Sequence, residues 1–173
     1  MIQLSFQPAL DPFHAMFRCA RLHGLMHSLG ELSADHVRIL DFFLVFPYRI
    51  DAIRLLPTHR RFRKLAQQYQ HQQPYGEQPD DSALFQRMAP MQIVAMETFA
   101  SGGLYDADRL RASWVRPTSN GLPSAIADRA AELNRSNAEL LEFLRVLATE
   151  YQVSGANGLK HRTGLMEHRY DVV

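Results

Sequence analysis

The sequence predicts a mainly α-helical fold in a single domain, residues 1–173, that combines winged-helix-like features with a long C-terminal helix and a terminal β-hairpin. Three observations lead to this prediction. Hydrophobic residues make up 46% of the 173-residue chain, which suffices for a core. Apolar residues recur at helical spacing in most segments. Capping residues, prolines and glycines separate these segments from one another.

The first two helices are predicted from their starts and their apolar residues. Asp11 and Pro12 form a cap and a first helical position, and the helix should run to about Gly24. Ser33 caps a second helix that should end near Pro47, which disfavours helical geometry before it. Because this second segment is apolar on both sides, we expect a central core helix, with a strand as the alternative. Its charges interrupt it well short of a membrane span.

A basic run follows the second helix. Thr58 is a plausible cap for the helix "HRRFRKLAQQY". Charge of this density can neutralise phosphates without reading sequence. We therefore predict four DNA-binding residues here: Arg60, Arg61, Arg63 and Lys64. An acidic protein partner or a solvated face are the alternatives. The polar, Gln-rich stretch at 67–81 is predicted to be a mobile loop.

The next region predicts a helix, a glycine-containing turn, a short helix and a strand. A helix begins at Pro90 and ends at Gly102 and Gly103; Asp106 caps the short helix, and Trp114 starts the strand. This order is the outline of a winged-helix module. Its second helix mixes Arg109 and Arg111 with Asp106 and Asp108, so we favour protein binding over sequence-specific DNA reading.

The segment from Ser124 to Gln152 has apolar residues at alternating gaps of four and three, which predicts one long helix. One interpretation is a coiled-coil face for another subunit, with Asn137 fixing the register. In this interpretation the partner-binding residues are Ile126, Leu133, Asn137, Leu140, Leu144 and Leu147. The alternative is a long core helix packed on the first two helices.

Turn signals at Asn157-Gly158 and Thr163-Gly164 predict a terminal hairpin over 155–173. This hairpin would carry five basic or histidine side chains: Lys160, His161, Arg162, His168 and Arg169. Lys160 and Arg162 are therefore added to the tentative DNA-binding set. A solvated hairpin packed on the domain is the alternative.

Catalytic motifs are largely absent from the sequence. It has no GxxxxGK[ST] phosphate loop, GxSxG, HExxH or paired Cys-x-x-Cys, so we expect no enzyme, no catalytic residue and no cofactor. Cys19 should be a buried thiol, and His23 with His27 is a weak zinc candidate, so no metal site is predicted.

The N-terminus does not resemble a secretory signal, which favours the cytoplasm. We expect no membrane partner.

Three segments together resemble the middle component of bacterial ABC-three-component systems, the group that includes Lamassu-type anti-phage defence: "LSADHVRILDFFLVFPYRIDAIRL", "MQIVAMETFASGGLYD" and "NGLKHRTGLMEHRYD". The resemblance covers most of the chain but transfers no site residues. It implies an adaptor that bridges an SMC-like or Rad50-like ABC ATPase and an effector, usually a nuclease. From the basic run, we expect the assembled complex to hold DNA without reading its sequence. A winged-helix transcriptional regulator is the alternative.

Overall fold

The computed structural model describes residues 7–166 and confirms a mainly α-helical fold. In chain order, the helices and strands are α1 Pro12–Leu29, β1 Leu32–Ser33, α2 Ala34–Val45, α3 Arg63–Gln68, α4 Asp81–Ser101, α5 Ala107–Arg111, β2 Trp114–Val115, α6 Ser124–Ser136, α7 Ala138–Glu150 and α8 Leu159–Thr163. Short 3-10 turns lie at Pro8–Leu10, Pro47–Ala52, Pro57–Phe62 and Gln70–Gln72. Within residues 7–166, no helix is both long enough and apolar enough to cross a bilayer.

The first two helices begin where their capping residues predict. The Asp11 carboxylate accepts a hydrogen bond from the His14 amide at 2.9 Å, and the Ser33 hydroxyl accepts one from the His36 amide at 3.1 Å. Each bond satisfies an amide that has no partner inside its helix. The second segment is therefore a helix and not a strand. It ends at Val45, just before Phe46 and Pro47.

The core lies where α2 packs between α1, α4 and α7. Its largest fully buried side chains are aromatic and aliphatic groups from several helices. Phe42 contacts Phe85 at a ring-centroid distance of 5.9 Å, and Phe43 contacts Phe143 at 6.5 Å. These edge-to-face pairs connect α2 to α4 on one side and to α7 on the other.

A chain of polar groups crosses this core. The Arg18 guanidinium donates to both Asp41 oxygens at 2.7 and 3.2 Å, and both side chains are buried. Gln92 donates to Asp41 at 2.9 Å and accepts from the Arg38 guanidinium at 3.0 Å. The buried charges are thus paired and hydrogen-bonded, which links α1, α2 and α4 in a single arrangement.

The prediction of one long helix from Ser124 to Gln152 is wrong. The chain leaves helical geometry at Asn137, with φ −112° and ψ 35°, so that α6 and α7 are separate helices. The Asn137 side chain accepts from the Arg21 guanidinium and donates to the Tyr69 hydroxyl, both at 3.1 Å. These tertiary bonds hold the amide at the break.

The terminal hairpin is also wrong for residues 155–166, which form a loop and the short helix α8. Gly158 precedes this helix, and Gly164 ends it in the left-handed conformation with φ 68°. The two glycines that were interpreted as hairpin turns therefore lie at the two ends of a helix. The rest of the predicted hairpin, including His168 and Arg169, lies outside the described residues.

The region predicted as winged-helix-like keeps its element order, but the structure does not confirm a wing. Helix α4 begins at Asp81, earlier than the predicted start at Pro90, which lies inside it. Strand β2 pairs antiparallel with β1, with Leu32 opposite Val115. In the described part of the chain, this is the only sheet.

The predicted loop at 67–81 includes the end of α3, a 3-10 turn and an irregular stretch. Its mobility stays a prediction.

Candidate functional site

The basic run forms an exposed surface anchored by two buried side chains. It starts as the 3-10 turn Pro57–Phe62 and continues as α3, so the predicted cap at Thr58 is wrong. Phe62 and Leu65 point into the core, as their spacing predicts. The four basic side chains next to them in sequence are exposed. We call these four residues the basic strip: Arg60, Arg61, Arg63 and Lys64.

A hydrogen-bonded histidine fixes the strip against α7. The buried ring of His59 lies 2.8 Å from the Tyr151 hydroxyl through Nδ1 and 2.9 Å from a Glu150 oxygen through Nε2. The Leu56 amide donates to the same hydroxyl at 3.0 Å, and burial raises the pKa of Tyr151. Because both ring nitrogens have partners, the backbone under the strip is held in one orientation.

The four cations of the strip differ in their partners. Lys64 Nζ lies 2.5 Å from the Glu139 carboxylate, whose pKa it lowers. The Arg61 guanidinium stacks over the Phe62 ring, 4.8 Å from its centroid. Among residues 7–166, no carboxylate lies within 4.0 Å of Arg60 or Arg63. The same holds for Arg61, whose contact with a ring leaves its charge in place, so these three arginines carry the uncompensated charge of the strip.

Two further residues predicted to bind DNA have contacts inside the chain. Lys160 is buried, and its ammonium lies 3.0 Å from Asp35. Arg162 donates to the carbonyls of Asn157 and Arg54, both at 2.6 Å, and lies over the Tyr151 ring. Both belong to α8 and not to a projecting hairpin, so we do not include them in the basic strip.

The predicted partner-binding residues do not share one outer face. Leu140, Leu144 and Leu147 are buried in the core, and Asn137 is bonded inside the chain. Leu133 is half-buried, whereas Ile126 is 43% exposed. The α7 part of the pattern thus fits the alternative interpretation, a core helix, and Ile126 is the member that presents most surface to a partner.

The arginines around α5 are each paired with an acid. Arg109 binds Glu31 through two bonds of 2.5 and 2.7 Å, Arg116 lies 2.6 Å from Asp106, and Arg111 pairs with Asp108. The arginine hydrogen bonds lower the pKa of Glu31 and of Asp106. A recognition helix needs cations that are free to meet phosphate, so this neutral surface does not favour the transcriptional-regulator alternative.

Two further side-chain groups were considered for reactivity or metal binding, the Cys19 thiol and the His23–His27 pair. Burial raises the pKa of the Cys19 thiol to about 12, and its sulfur lies 3.4 Å from the Tyr105 hydroxyl. His23 and His27 approach at 3.0 Å between their Nε2 atoms, and burial lowers the pKa of His23 to about 4. Within residues 7–166, no group of three or more His, Cys, Asp or Glu residues is arranged to hold a metal ion.

Sequence reasoning missed the contacts that decide which cations are available. Glu139 of α7 compensates the charge of Lys64, and Asp35 of α2 binds Lys160 of α8. It also missed an apolar groove between α1, α4 and the start of α6, because the lining residues are far apart in sequence. The recurrence of apolar residues at helical spacing in α1 was the available signal for apolar surface on that helix: Phe13, Met16, Phe17 and Ala20.

The fold and these surfaces define a mainly helical domain whose exposed features are a basic strip and an apolar groove. The family model of ABC-three component (ABC-3C) system Middle Component 5 matches residues 4–171. The chain belongs to this family, and the predicted resemblance to a middle component is confirmed. Neither the curated proteins nor the solved structures contain a match to this chain. A middle component is one subunit of a multi-subunit system, so the chain has protein partners.

Proposed function

We propose that the chain is a non-enzymatic adaptor of a cytoplasmic anti-phage defence complex of the Lamassu type. It bridges an SMC-like or Rad50-like ABC ATPase and an effector, which is a nuclease. The observation that supports this proposal is the family match, which covers residues 4–171 of the chain.

The non-enzymatic part of the proposal is supported by the state of the reactive side chains. A thiol with a pKa of about 12 supplies almost no thiolate at neutral pH. His23, whose pKa is about 4, is neutral and lies among aromatic rings rather than in an open cleft. Assay of the purified complex with and without this subunit tests the assignment, because an adaptor should change assembly rather than supply a reacting group.

The basic strip is the part of the adaptor that contacts DNA in the assembled complex. Arg60 and Arg63 are three residues apart, both exposed and both without a carboxylate partner in the described part of the chain. Such charges bind phosphates at any base sequence, and the bound DNA releases counterions. Docking of an acidic protein surface is the competing role of the same residues.

Co-expression with the products of the adjacent genes tests the adaptor role. The chain should co-purify with an ABC-type ATPase and an effector at fixed stoichiometry, and its omission should separate the two. A chain that stays monomeric at micromolar concentration and ignores both neighbouring products would contradict the proposal.

Charge reversal tests the DNA contact. In the purified complex, Arg60→Glu with Arg63→Glu should reduce the slope of log affinity against log salt by about 0.9 for each phosphate that the complex no longer neutralises. Arg87→Glu with Arg135→Glu is the matched control, because both arginines are exposed and the net charge changes equally. The double reversal in the strip could instead prevent assembly and leave the DNA affinity of the remaining complex unchanged. In that outcome the strip docks an acidic protein.

A further inference from the structure

A second groove lies between α1, α6, the end of α2 and the Gln-rich stretch that follows α3. Its volume is about 730 Å³, within the range of about 300 to 1,000 Å³ that is typical of small-molecule sites. Aromatic rings form much of its lining: Phe17, Phe46, Tyr48 and Tyr75. We call it the arginine groove, because three arginines line it as well: Arg18, Arg21 and Arg129.

Two of these arginines already have a carboxylate partner. Arg18 donates from Nε and Nη2 to Asp41 at 2.7 and 3.2 Å, and from Nη1 to the Pro8 carbonyl at 3.0 Å. All three of its nitrogens are thus used inside the protein. Arg129 on α6 donates to Glu132 at 2.9 Å, and both of these side chains are 59% exposed. Neither arginine therefore gives the groove an uncompensated, desolvated charge.

The third arginine, Arg21, bonds only to neutral groups. Its Nε donates to the Asn134 amide oxygen at 2.9 Å, and its Nη2 donates to that of Asn137 at 3.1 Å. Among residues 7–166, no carboxylate lies within 4.0 Å of the guanidinium, and Nη1 has no acceptor, although this nitrogen is not sealed from solvent. Burial lowers the pKa of Arg21, the direction expected for a cation that has lost water without gaining a counter-charge.

One carboxylate lines the groove on the opposite wall. Glu77 belongs to the Gln-rich stretch, and its side chain is exposed. In the described part of the chain it forms no ion pair within 4.0 Å, so water and salt screen its charge. The half-buried guanidinium of Arg21 is screened less, and it sets the charge that a ligand meets inside the groove.

We infer that the arginine groove binds a small organic anion, in which a carboxylate or phosphate is attached to a planar apolar group. The anion accepts a hydrogen bond from Arg21 Nη1, while Asn134 and Asn137 hold the guanidinium in a fixed orientation. A bound anion also offsets the cost of a half-buried cation that lacks a counter-charge. The planar group lies against the aromatic lining, where it buries apolar area. This site is independent of the adaptor role and of the basic strip.

Phenyl phosphate and benzoate have both parts of such a ligand, whereas phenol has the ring alone. In NMR titrations of the purified full chain, at least one of the two anions should bind with a Kd of about 1 mM or lower, and phenol at least about tenfold more weakly. Arg21→Gln should remove the preference for the anions over phenol. Arg145→Gln, at a half-buried arginine outside the groove, is the control and should keep that preference.

Two neighbouring glutamines give a test that does not disturb buried groups. Both are exposed, but Gln72 lines the groove and Gln73 does not. Gln72→Glu should weaken binding of the preferred anion about fivefold or more, because it adds a like charge to the lining. Gln73→Glu should leave the affinity within about twofold of the wild type, because its charge lies outside the groove and is screened.

Three outcomes overturn the inference. The first is equal affinity for phenol and for both anions. The second is equal loss of anion affinity in Gln72→Glu and Gln73→Glu. The third is anion binding that survives Arg21→Gln but is lost in Arg60→Glu with Arg63→Glu, because the anion then occupies the basic strip.

Discussion

Helices α6 and α7 continue one apolar sequence pattern, yet the structure uses them in different ways. In the described part of the chain, α7 buries six side chains in the core, whereas α6 buries Ala130 alone. Helix α6 lies against α1 and keeps Ile126 at the surface. The difference shows that a heptad pattern reports apolar periodicity and does not report which molecule covers the apolar side.

The largest effect is expected from Leu144, which is fully buried in α7. Leu144→Asp should destabilise the isolated subunit by about 4 kcal/mol or more, because it removes core packing and buries a carboxylate. Urea denaturation followed by circular dichroism measures the change. Leu144→Met conserves volume and should cost less than about 1.5 kcal/mol. A folded Leu144→Asp subunit that only fails to bind a partner would mean that α7 is an interface.

A smaller effect is expected at the break between the two helices. Asn137→Ala removes the amide that bonds Arg21 and Tyr69, which should cost about 1 to 2 kcal/mol. Thermal unfolding of the variant measures it, with Ser136→Ala, an exposed neighbouring position, as the control. No loss of stability at Asn137 would show that the break does not depend on these tertiary bonds.

Acidification should gradually weaken the packing of α2 on α7 through a buried histidine of α2. His36 Nε2 lies 2.9 Å from the Leu147 carbonyl, and burial lowers the pKa of this histidine below its ordinary value of 6.5. The unfolded chain therefore binds the proton more readily, so stability is full above about pH 6.5 and falls as pH drops below it. Hydrogen-exchange protection factors at pH 7 and pH 5 locate the change. His36→Gln cannot titrate and should remove this histidine's part of the pH dependence, whereas the part that comes from His23, whose pKa burial lowers to about 4, should remain. A pH dependence identical to that of the wild type would contradict the assignment.

The smallest effect on stability is expected at Ile126. Because the side chain is exposed, Ile126→Asp should change the free energy of unfolding by no more than about 0.5 kcal/mol. The same urea titration used for Leu144 measures this change. A loss comparable to that of Leu144→Asp would place Ile126 in the core and remove the contrast between the two helices.

Local signals in the sequence were sufficient for the starts of α1, α2 and α5, but not for those of α3 and α4. Asp11, Ser33 and Asp106 each cap the helix that they predict, and Gly103 adopts the left-handed φ of 74° at the predicted turn. These outcomes depend on side chains within three or four residues of each other. The burial of Phe62 and Leu65 beneath the basic strip follows from helical spacing in the same way.

Features that depend on distant residues could not be predicted. The helix break at Asn137 is held by Arg21 and Tyr69, and the charge of Lys64 is compensated by Glu139. Gly158 and Gly164 show a different difficulty, because a glycine signal is shared by hairpin turns and helix ends. The sequence alone did not decide which of the two they would serve.

The packing of α2 against α7 has a consequence for synthesis of the chain. The buried surface of α2, residues 34–45, is completed by residues 138–150, which leave the ribosome about 100 residues later. At 5 to 20 residues per second, this interval is about 5 to 20 s. During it, the most apolar helix of the chain has no covering partner on its α7 side. A nascent chain arrested before Ala138 should therefore recruit holding chaperones, and release should follow once α7 has emerged.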